Sequence, residues 1–372
     1  EYSMLKIQYL IYTYMALCAC MMIYNIAYTI YSRTTEKNIE KQKNGFIKKV
    51  RNQISLLESG ITLAAKHRKY LYSKLRWVHN LLIFEQILDE QTKQIRNEYF
   101  KNIRYIFYKL ALYYQKTDGV KKAYFAYIIG KYKIEDEIGK NILTNTLFMF
   151  LDEETMYCRD NALRAIIKLG NIKNILEVLK RIKKSKYYFS VEMLYENLLE
   201  YNKEKQILAE KIWQEFDEFN ENTQIAIIKF ITNYKLNFSE EFYNLLEKNI
   251  VNNKIKVEII KYFKDNIYDK VEKLLIDYTK LTGILNREIV IESARTLGSY
   301  NSVEVKETLK DLLKRNDWDI RMTASESLSV LGTSYYELAD IYNGEDNIAR
   351  RILSYKIQNY KYTYTNPKIE VS

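Results

Sequence analysis

The scarcity of turn residues is the feature that most constrains the fold of this chain. One proline and ten glycines make up about 3% of its 372 residues, against roughly 12% in an average globular protein. A sheet-rich fold needs a turn signal every ten residues or so, which this sequence does not supply. Because 47% of the residues are hydrophobic, wholesale disorder is also excluded. The sequence predicts an all-α fold of helices joined by short loops.

A long uncharged segment lies near the start of the sequence. Residues 7–32 contain no charged side chain, and as an α-helix they would extend for about 39 Å, more than the roughly 30 Å hydrocarbon core of a bilayer. The segment predicts one transmembrane helix within residues 1–33. The alternatives are a cleaved signal peptide, for which the segment is too long, a lipoprotein cleavage box at residues 17–20, and a buried helix of a soluble protein.

The charges on either side of this segment predict its orientation. Only Lys6 precedes it, whereas seven Lys and Arg residues follow within positions 33–51. Cytoplasmic flanks of membrane helices are enriched in these residues. We therefore expect a single-pass protein of the cell membrane, with its amino terminus outside and the remainder of the chain in the cytoplasm.

Small and polar residues fall near one face of the predicted membrane helix, namely Ala16, Cys20, Asn25 and Ala27. Small residues allow close helix approach in lipid, and an asparagine there favours a hydrogen-bonding neighbour. This face predicts contact with a helix of a partner membrane protein. The alternative is that these positions merely tolerate lipid.

The positive charge of the chain is concentrated next to this segment. The net charge is +11, and residues 141–372 contribute none of the excess, because they carry 34 basic and 35 acidic side chains. Residues 34–118 are predicted to form a basic juxtamembrane helical region. Its basic collar comprises Lys37, Lys41, Lys48, Lys49, Arg51, Lys66, Arg68, Lys69, Lys74 and Arg76. Juxtamembrane bases are attracted to anionic lipid headgroups; the alternatives are nucleic-acid binding and an ordinary solvated surface.

A strongly aromatic helix is predicted further along this region, over residues 95–114. Its basic residues fall on a stripe opposite the aromatic and aliphatic side chains, and comprise Arg96, Lys101, Arg104 and Lys109. We interpret this stripe as a solvated helix face.

Self-similar segments appear within residues 119–365. Three of them begin with Arg, end on Leu-Gly and carry small or β-branched residues at the fourth and seventh positions. Their first and last residues are Arg159 and Gly170, Arg287 and Gly298, and Arg321 and Gly332. Two starts are 34 residues apart, a period typical of stacked helix pairs. Each final glycine is expected to take the left-handed conformation that ends a helix.

On these segments the chain resembles the HEAT-like repeat family, in the form of a membrane-anchored bacterial HEAT-repeat protein. The resemblance implies an α-solenoid whose extended surface binds protein partners. In that family, Asp and Arg side chains form a ladder between successive repeats. Asp317 with Arg321, and also Arg159, match parts of this ladder, whereas Asn286 replaces the Asp expected before Arg287.

The sequence is poorly supplied for catalysis. Neither His67 nor His79 is followed by the Glu that iron-dependent relatives of the HEAT-like family carry, and the chain has three cysteines. It contains no phosphate-binding loop, nucleophile elbow or zinc-spaced motif. We expect no enzymatic activity, no cofactor, no metal and no nucleic-acid partner.

The expected function is that of a membrane-anchored scaffold. Its solenoid would bind a protein partner, such as a subunit of an integral-membrane polysaccharide synthase complex. The alternative is a module that binds anionic lipid or nucleic acid through residues 37–76.

Overall fold

The computed structural model describes residues 15, 20–22, 24, 25, 28 and 40–365, with side chains as far as Lys356. The described residues between 15 and 28 are all helical. From residue 40 onward the helices are α1 (residues 40–58), α2 (Ala65–Leu75), α3 (Val78–Asp89), α4 (Lys93–Tyr114), α5 (Gly119–Tyr132), α6 (Ile142–Phe150), α7 (Met156–Leu169), α8 (Ile172–Lys184), α9 (Val191–Leu199), α10 (Lys205–Trp213), α11 (Glu221–Asn233), α12 (Ser239–Glu247), α13 (Asn253–Asp265), α14 (Asp269–Thr279), α15 (Arg287–Leu297), α16 (Val303–Leu312), α17 (Trp318–Val330), α18 (Ala339–Tyr342) and α19 (Asn347–Thr365).

The predicted all-α fold is confirmed for residues 40–365, which contain no β-strand. Polar side chains mark many of the helix starts, where each accepts a hydrogen bond from an otherwise unpaired N–H of the first turn. These caps are Thr92, Asp118, Asn171, Ser190, Asn220, Asn252, Ser302 and Asp317. Three non-glycine residues, Lys133, Lys235 and Asn249, adopt left-handed backbone conformations. The chain thus makes many of its turns without glycine or proline.

Contacts divide the chain into unit 1 (Glu1–Ala165) and unit 2 (Ile166–Ser372), with the division inside α7. In unit 1, α2 packs on α4 and α4 packs on α6, while α3 packs on α5. The predicted start of the repeats at residue 119 is the first residue of α5. The packing of each helix on the next but one therefore begins before residue 119, with helices α2, α3 and α4 of the predicted juxtamembrane region.

Helix α1 is a packed part of unit 1. Its inner face buries Phe46, Val50 and Ile54, none of which exposes more than 3% of its surface. Tyr99 of α4 donates a buried hydrogen bond to Gln53 of α1, with 2.8 Å between the oxygens. The basic side chains of α1 therefore lie on the outer face of a helix whose other face contributes to the core.

Unit 2 consists of two rows of helices. In the first row, α9, α11, α13, α15, α17 and α19 each pack on the next. In the second row, α12 packs on α14 and α14 packs on α16, and the contacts of α14 with α15 and of α16 with α17 join the rows. This arrangement is consistent with an α-solenoid.

Tyrosine hydroxyls join neighbouring helices within each unit. Carbonyl groups at helix ends lack intrahelical donors, and a buried tyrosine needs a partner for its hydroxyl. Hydroxyl-to-carbonyl hydrogen bonds of 2.8–3.2 Å join Tyr114 to Leu75, Tyr132 to Glu85, Tyr262 to Leu236, Tyr278 to Leu246 and Tyr300 to Phe263. These bonds account for part of the high tyrosine content, which is 35 residues.

None of the helices within the described residues is both long and apolar enough to cross a bilayer. Most of the predicted membrane segment, residues 7–32, lies outside the described residues.

Candidate functional site

The predicted partner-helix face is only partly within the described residues. Cys20 and Asn25 are helical and exposed. Ala16 and Ala27 lie outside the described residues, as does Lys37 of the basic collar.

The collar residues on α1 divide into exposed cations and cations with a partner. Lys41 and Lys48 are exposed. Arg51 forms an ion pair with Glu90, with 2.8 Å between Nη2 and Oε2. Lys49 places its ammonium 4.2 Å from the centre of the Tyr70 ring on α2. Arg51 and Lys49 therefore have structural partners, whereas Lys41 and Lys48 direct their charges to solvent.

The collar residues on and after α2 show the same division. Arg68 donates a 3.0 Å hydrogen bond to the carbonyl of Leu63, and the Arg76 guanidinium lies 4.5 Å from the centre of the Tyr113 ring. Lys74 is half-buried, whereas Lys66 and Lys69 are exposed. Within the described residues, the exposed collar cations outside an ion pair or ring contact are Lys41, Lys48, Lys66 and Lys69.

The predicted repeat residues form charged rungs near the end of unit 2. Arg287, the first residue of α15, pairs with Asp317, with 2.6 Å between Nε and Oδ2, and also contacts Asp319. Asp317 at the same time caps α17. Hydrogen bonds from Arg287 hold the pKa of the Asp317 carboxyl below its ordinary value.

A second rung joins α17 to α19. Arg321 donates through Nη1 to both carboxylate oxygens of Asp346, at 3.0 and 2.8 Å. Asp346 also accepts the N–H groups of Ile348 and Ala349, each at 3.0 Å. The Ala349 bond and Arg321 lower the pKa of Asp346. Each aspartate of these two rungs therefore both caps a helix and pairs with the arginine of the preceding helix in the row.

The corresponding position between α13 and α15 is neutral. Asn253, the first residue of α13, donates to the carbonyl of Leu285 at 2.8 Å and contacts Asn286 at 3.5 Å. Arg159 of unit 1 instead donates to the carbonyls of Glu153 and Glu154 just before α7, at 2.8 and 2.7 Å.

The three predicted helix-ending glycines differ in conformation. Gly170 and Gly332 have φ values of +70° and +64°, as expected for left-handed helix ends. Gly298 has a φ of −60° and is right-handed, so the left-handed prediction is wrong for this residue. A Cβ at Gly298 would lie 3.0 Å from the Cβ of Ser327 on α17. Glycine at this position therefore suits the close approach of α15 and α17, because a Cβ would make Ser327 shift by a few tenths of an ångström.

Unit 1 contains a basic cleft that the sequence interpretation missed. It lies between the first half of α4 and the end of α5, and its volume is about 490 Å³. Its cationic lining is Lys93, Arg96, Lys101, Arg104, Lys131 and Lys133, and its carboxylates are Asp89 and Glu135. Three of these cations belong to the stripe that was interpreted as a solvated face. The sequence signal for this cleft was the pair Lys131 and Lys133, which comes about thirty residues after Lys101.

A dense polar network adjoins this cleft and shares Asp89 and Lys131 with its lining. Lys131 binds Glu85 and Asp89 of α3, at 2.5 and 2.6 Å. Glu85 also accepts hydroxyl groups from Tyr124 and Tyr127. Burial alone would raise the pKa of Glu85, but the bonds from Lys131 and the tyrosines hold it below its ordinary value.

The same network fixes the protonation states of its members. Burial and the Glu85 carboxylate raise the pKa values of Tyr124 and Tyr127 above the ordinary tyrosine value. The carboxylates therefore stay ionised and the tyrosines stay protonated near neutral pH. The network fastens α3 to α5 and provides no group that exchanges protons in that range.

Large apolar side chains are exposed at the connections that lead from the second row of unit 2 into the first. Ile284 and Leu285, before α15, expose 91% and 85% of their surfaces. Tyr188, Ile250 and Trp318 are exposed at the corresponding points before α9, before α13 and at the start of α17. In a stack of helix pairs, equivalent connections fall on one edge. These five residues are the apolar edge of unit 2.

Among the described residues, no three His, Cys, Asp or Glu side chains are grouped so that they could hold a metal ion. Cys158 is buried, and this burial raises the pKa of its thiol to about 12. No protein-family model matches the chain, and neither does any curated protein.

Proposed function

We propose that this chain is a membrane-anchored scaffold with HEAT-like repeats, and that the apolar edge of unit 2 binds a protein partner. Residues 7–32 would form the anchor, with the amino terminus outside and the repeats in the cytoplasm. The partner would be a subunit of an integral-membrane enzyme complex, such as a polysaccharide synthase, and the chain itself would not be catalytic.

The apolar edge is the observation that supports this proposal. Tyr188, Ile250, Ile284, Leu285 and Trp318 leave most of their surfaces in solvent. Single exposed apolar residues are common, but a recurring set at equivalent connections is typical of an interaction surface. Tyrosine and tryptophan are also enriched among the interface residues that contribute most of the binding energy.

The charges at these connections have both signs, and Lys186 and Lys248 are exposed beside Tyr188 and Ile250. The connection between α10 and α11 lies between those that carry Tyr188 and Ile250. It exposes Asp217 and Glu218 and buries Phe219. Two carboxylates in the middle of the edge would repel anionic headgroups. A protein surface of mixed charge accommodates them.

Co-purification tests the proposal. The full chain is isolated in mild detergent with its co-eluting proteins, and the same is done for a variant with Ile284→Ser and Leu285→Ser. A control variant carries Val303→Ser and Tyr336→Ser, which are equally exposed at the opposite connections. We expect a stoichiometric membrane partner that the first variant loses and the control retains.

A wild-type chain without a membrane partner would contradict the proposal. Equal retention of the partner by both variants would show that the apolar edge is not the binding surface.

The exposed collar supports a second candidate function, the binding of anionic lipid or nucleic acid. Lys41, Lys48, Lys66 and Lys69 are exposed, without an ion pair to another described residue. A lysine near an anionic membrane contributes about 1 kcal/mol to attraction. Together the four would give a substantial binding energy.

Charge reversal separates the two candidates. The four exposed collar lysines are changed to Glu, and a control changes four exposed lysines of unit 2 outside the connections of the apolar edge, Lys173, Lys211, Lys264 and Lys273. Native mass spectrometry counts the phosphatidylglycerol molecules that remain bound, and a gel-shift assay measures nucleic-acid binding. Loss of either ligand only in the collar variant, with the protein partner retained, would favour the second candidate.

A further inference from the structure

We propose that the basic cleft of unit 1 binds a phosphate-bearing ligand. The cleft lies between α4 and the end of α5, and its volume of about 490 Å³ falls within the range of small-molecule sites. This site is separate from the basic collar on α1 and α2, and from the apolar edge of unit 2.

The charges of the cleft are strongly unbalanced. Lys131 pairs with both Glu85 and Asp89, so these three groups together carry one negative charge. Glu135 is then the one remaining carboxylate among the described lining residues. It is opposed by Lys93, Arg96, Lys101, Arg104 and Lys133, none of which is ion-paired to a described residue. An excess of about three positive charges therefore faces one concave surface.

Helix ends do not neutralise this excess. Helices α3 and α5 end at the cleft and α4 begins there. Each helix end carries a partial charge of about half a unit, negative at the carboxyl end and positive at the amino end. The three ends therefore contribute about −0.5 together, which leaves more than two positive charges. Clustered charge in a cleft concentrates its field on a counter-ion.

Arginine geometry and an aromatic wall narrow the ligand class. Arg96 donates through Nη1 to the carbonyls of Leu88 and Gln91, at 3.3 and 3.1 Å. These bonds orient its guanidinium and leave Nε and Nη2 without a described partner. Guanidinium groups bind phosphate through paired hydrogen bonds. Phe100 lines the cleft and packs against Tyr132, with ring centroids 5.2 Å apart, so the ligand also meets an apolar surface.

Two classes of ligand carry a phosphate group, namely soluble phosphorylated compounds and the headgroups of anionic lipids. Inorganic pyrophosphate is the probe for the first source. Short-chain phosphatidylglycerol below its micelle concentration is the probe for the second, with short-chain phosphatidylcholine as the uncharged control. Monomeric lipid avoids any contribution from insertion of residues 7–32 into vesicles.

Calorimetric titration of the full chain in neutral detergent, at about 0.15 M salt, tests the proposal. We expect at least one probe to bind with a Kd below about 1 mM. The variant with Lys101→Gln and Arg104→Gln should weaken that binding by about tenfold or more, because it removes two charged donors. Lys109→Gln lies on α4 outside the cleft and should change it by less than about twofold.

A second variant changes two other residues of the cleft, so that the test does not depend on the folding of the first variant alone. It carries Lys93→Gln and Lys133→Asn, both at exposed positions, and asparagine suits the left-handed backbone of residue 133. This variant should lose binding as the first does. No binding of either probe by the wild-type chain would overturn the proposal, and so would equal weakening by Lys109→Gln. Binding of pyrophosphate alone assigns a soluble ligand, and binding of the lipid alone assigns a headgroup.

Discussion

Helices α15, α17 and α19 are joined by charged rungs, whereas α13 and α15 are joined by a neutral one. The charged rungs are Arg287 with Asp317 and Arg321 with Asp346, and the neutral rung is Asn253 with Leu285 and Asn286. All three join the first part of one helix to the residues just before the next helix of the row. The geometry of the stack therefore tolerates different chemistry at the same position.

The difference in burial determines what each rung contributes. The Arg321 side chain exposes only 9% of its surface, so its charge depends on Asp346 and on the carbonyls of Lys314 and Arg315. Asn253 is half-buried and neutral. A buried charge is costly when it loses its partner, whereas a neutral amide near the surface can bind water instead.

The largest effect is expected from Arg321→Met. This change leaves Asp346 and two carbonyl groups without their buried donor, and we expect a loss of about 3 kcal/mol in the unfolding free energy. Hydrogen exchange of α17 and α19 measures it. Asp346→Asn retains a capping side chain but leaves the buried Arg321 charge without its carboxylate, so it should cost about as much as Arg321→Met. A loss of under about 1 kcal/mol for Asp346→Asn would show that the charge pair adds nothing beyond the cap.

A steric change at the α15–α17 contact should have the next largest effect. The Cβ of Gly298→Ala would lie 3.0 Å from the Cβ of Ser327, and Ser327 is held by a 2.8 Å bond to the carbonyl of Ala294. We expect a loss of about 2 kcal/mol, measured by thermal unfolding. Gly45→Ala is the control, because its Cβ meets nothing within 4 Å, and it should stabilise α1 by up to about 1 kcal/mol.

Lowering the pH should weaken the charged rungs selectively. The folded pKa values of Asp317 and Asp346 lie below their ordinary values, so their contribution is complete above the unfolded pKa of about 3.9. It is lost as the pH falls from there through the lower folded values. Because Arg287 and Asp317 are partly exposed and screened by water, we expect their rung to lose less stability than the rung of Arg321 with Asp346.

Hydrogen exchange at successive pH values between 6 and 3 follows this loss in α15, α17 and α19. The variant with Asp317→Asn and Asp346→Asn should show a flatter pH dependence. An unchanged pH dependence in that variant would assign the loss to other carboxyl groups.

The sequence predicted the all-α fold because that prediction depends on local patterns. Turn residues are scarce, and Ala162, Ala165 and Ser327, which recur at equivalent positions, are buried as expected of a packed face. The partner of Arg321 was not predictable in this way. The short helix α18 interrupts the period before Asp346, so no repeated motif marks that residue.

The basic cleft and the conformation of Gly298 depend on contacts between distant residues. Lys101 lies on α4 and Lys133 directly follows α5, and a helical period shows only which side of its own helix a residue occupies. Gly298 ends α15 as predicted, but its left-handed conformation was predicted only from the sequence position that it shares with Gly170 and Gly332, and that prediction is wrong. Its actual role is set by Ser327, which lies 29 residues later in the chain, and no local pattern reports that distance.

The smallest expected effect comes from converting the neutral rung into a charged one. Asn253 and Asn286 occupy the same places, first residue of one helix and residue before the next, as Arg287 and Asp317. The double variant Asn253→Arg with Asn286→Asp should therefore form an ion pair between α13 and α15. An exposed pair is worth about 0.5 kcal/mol, so a double-mutant cycle should give a coupling of that size.

The single variants separate this coupling from other effects. Asn286→Asp alone should gain a little from its position at the start of α15, where a negative charge is favourable. Asn253→Arg alone should lose the 2.8 Å bond to Leu285. A coupling of zero, with both singles folded, would mean that the charged rungs require the particular backbone of α15–α19. A positive coupling would mean that the helix stack supplies the geometry of these contacts, and that the side chains decide only how strongly neighbouring helices are joined.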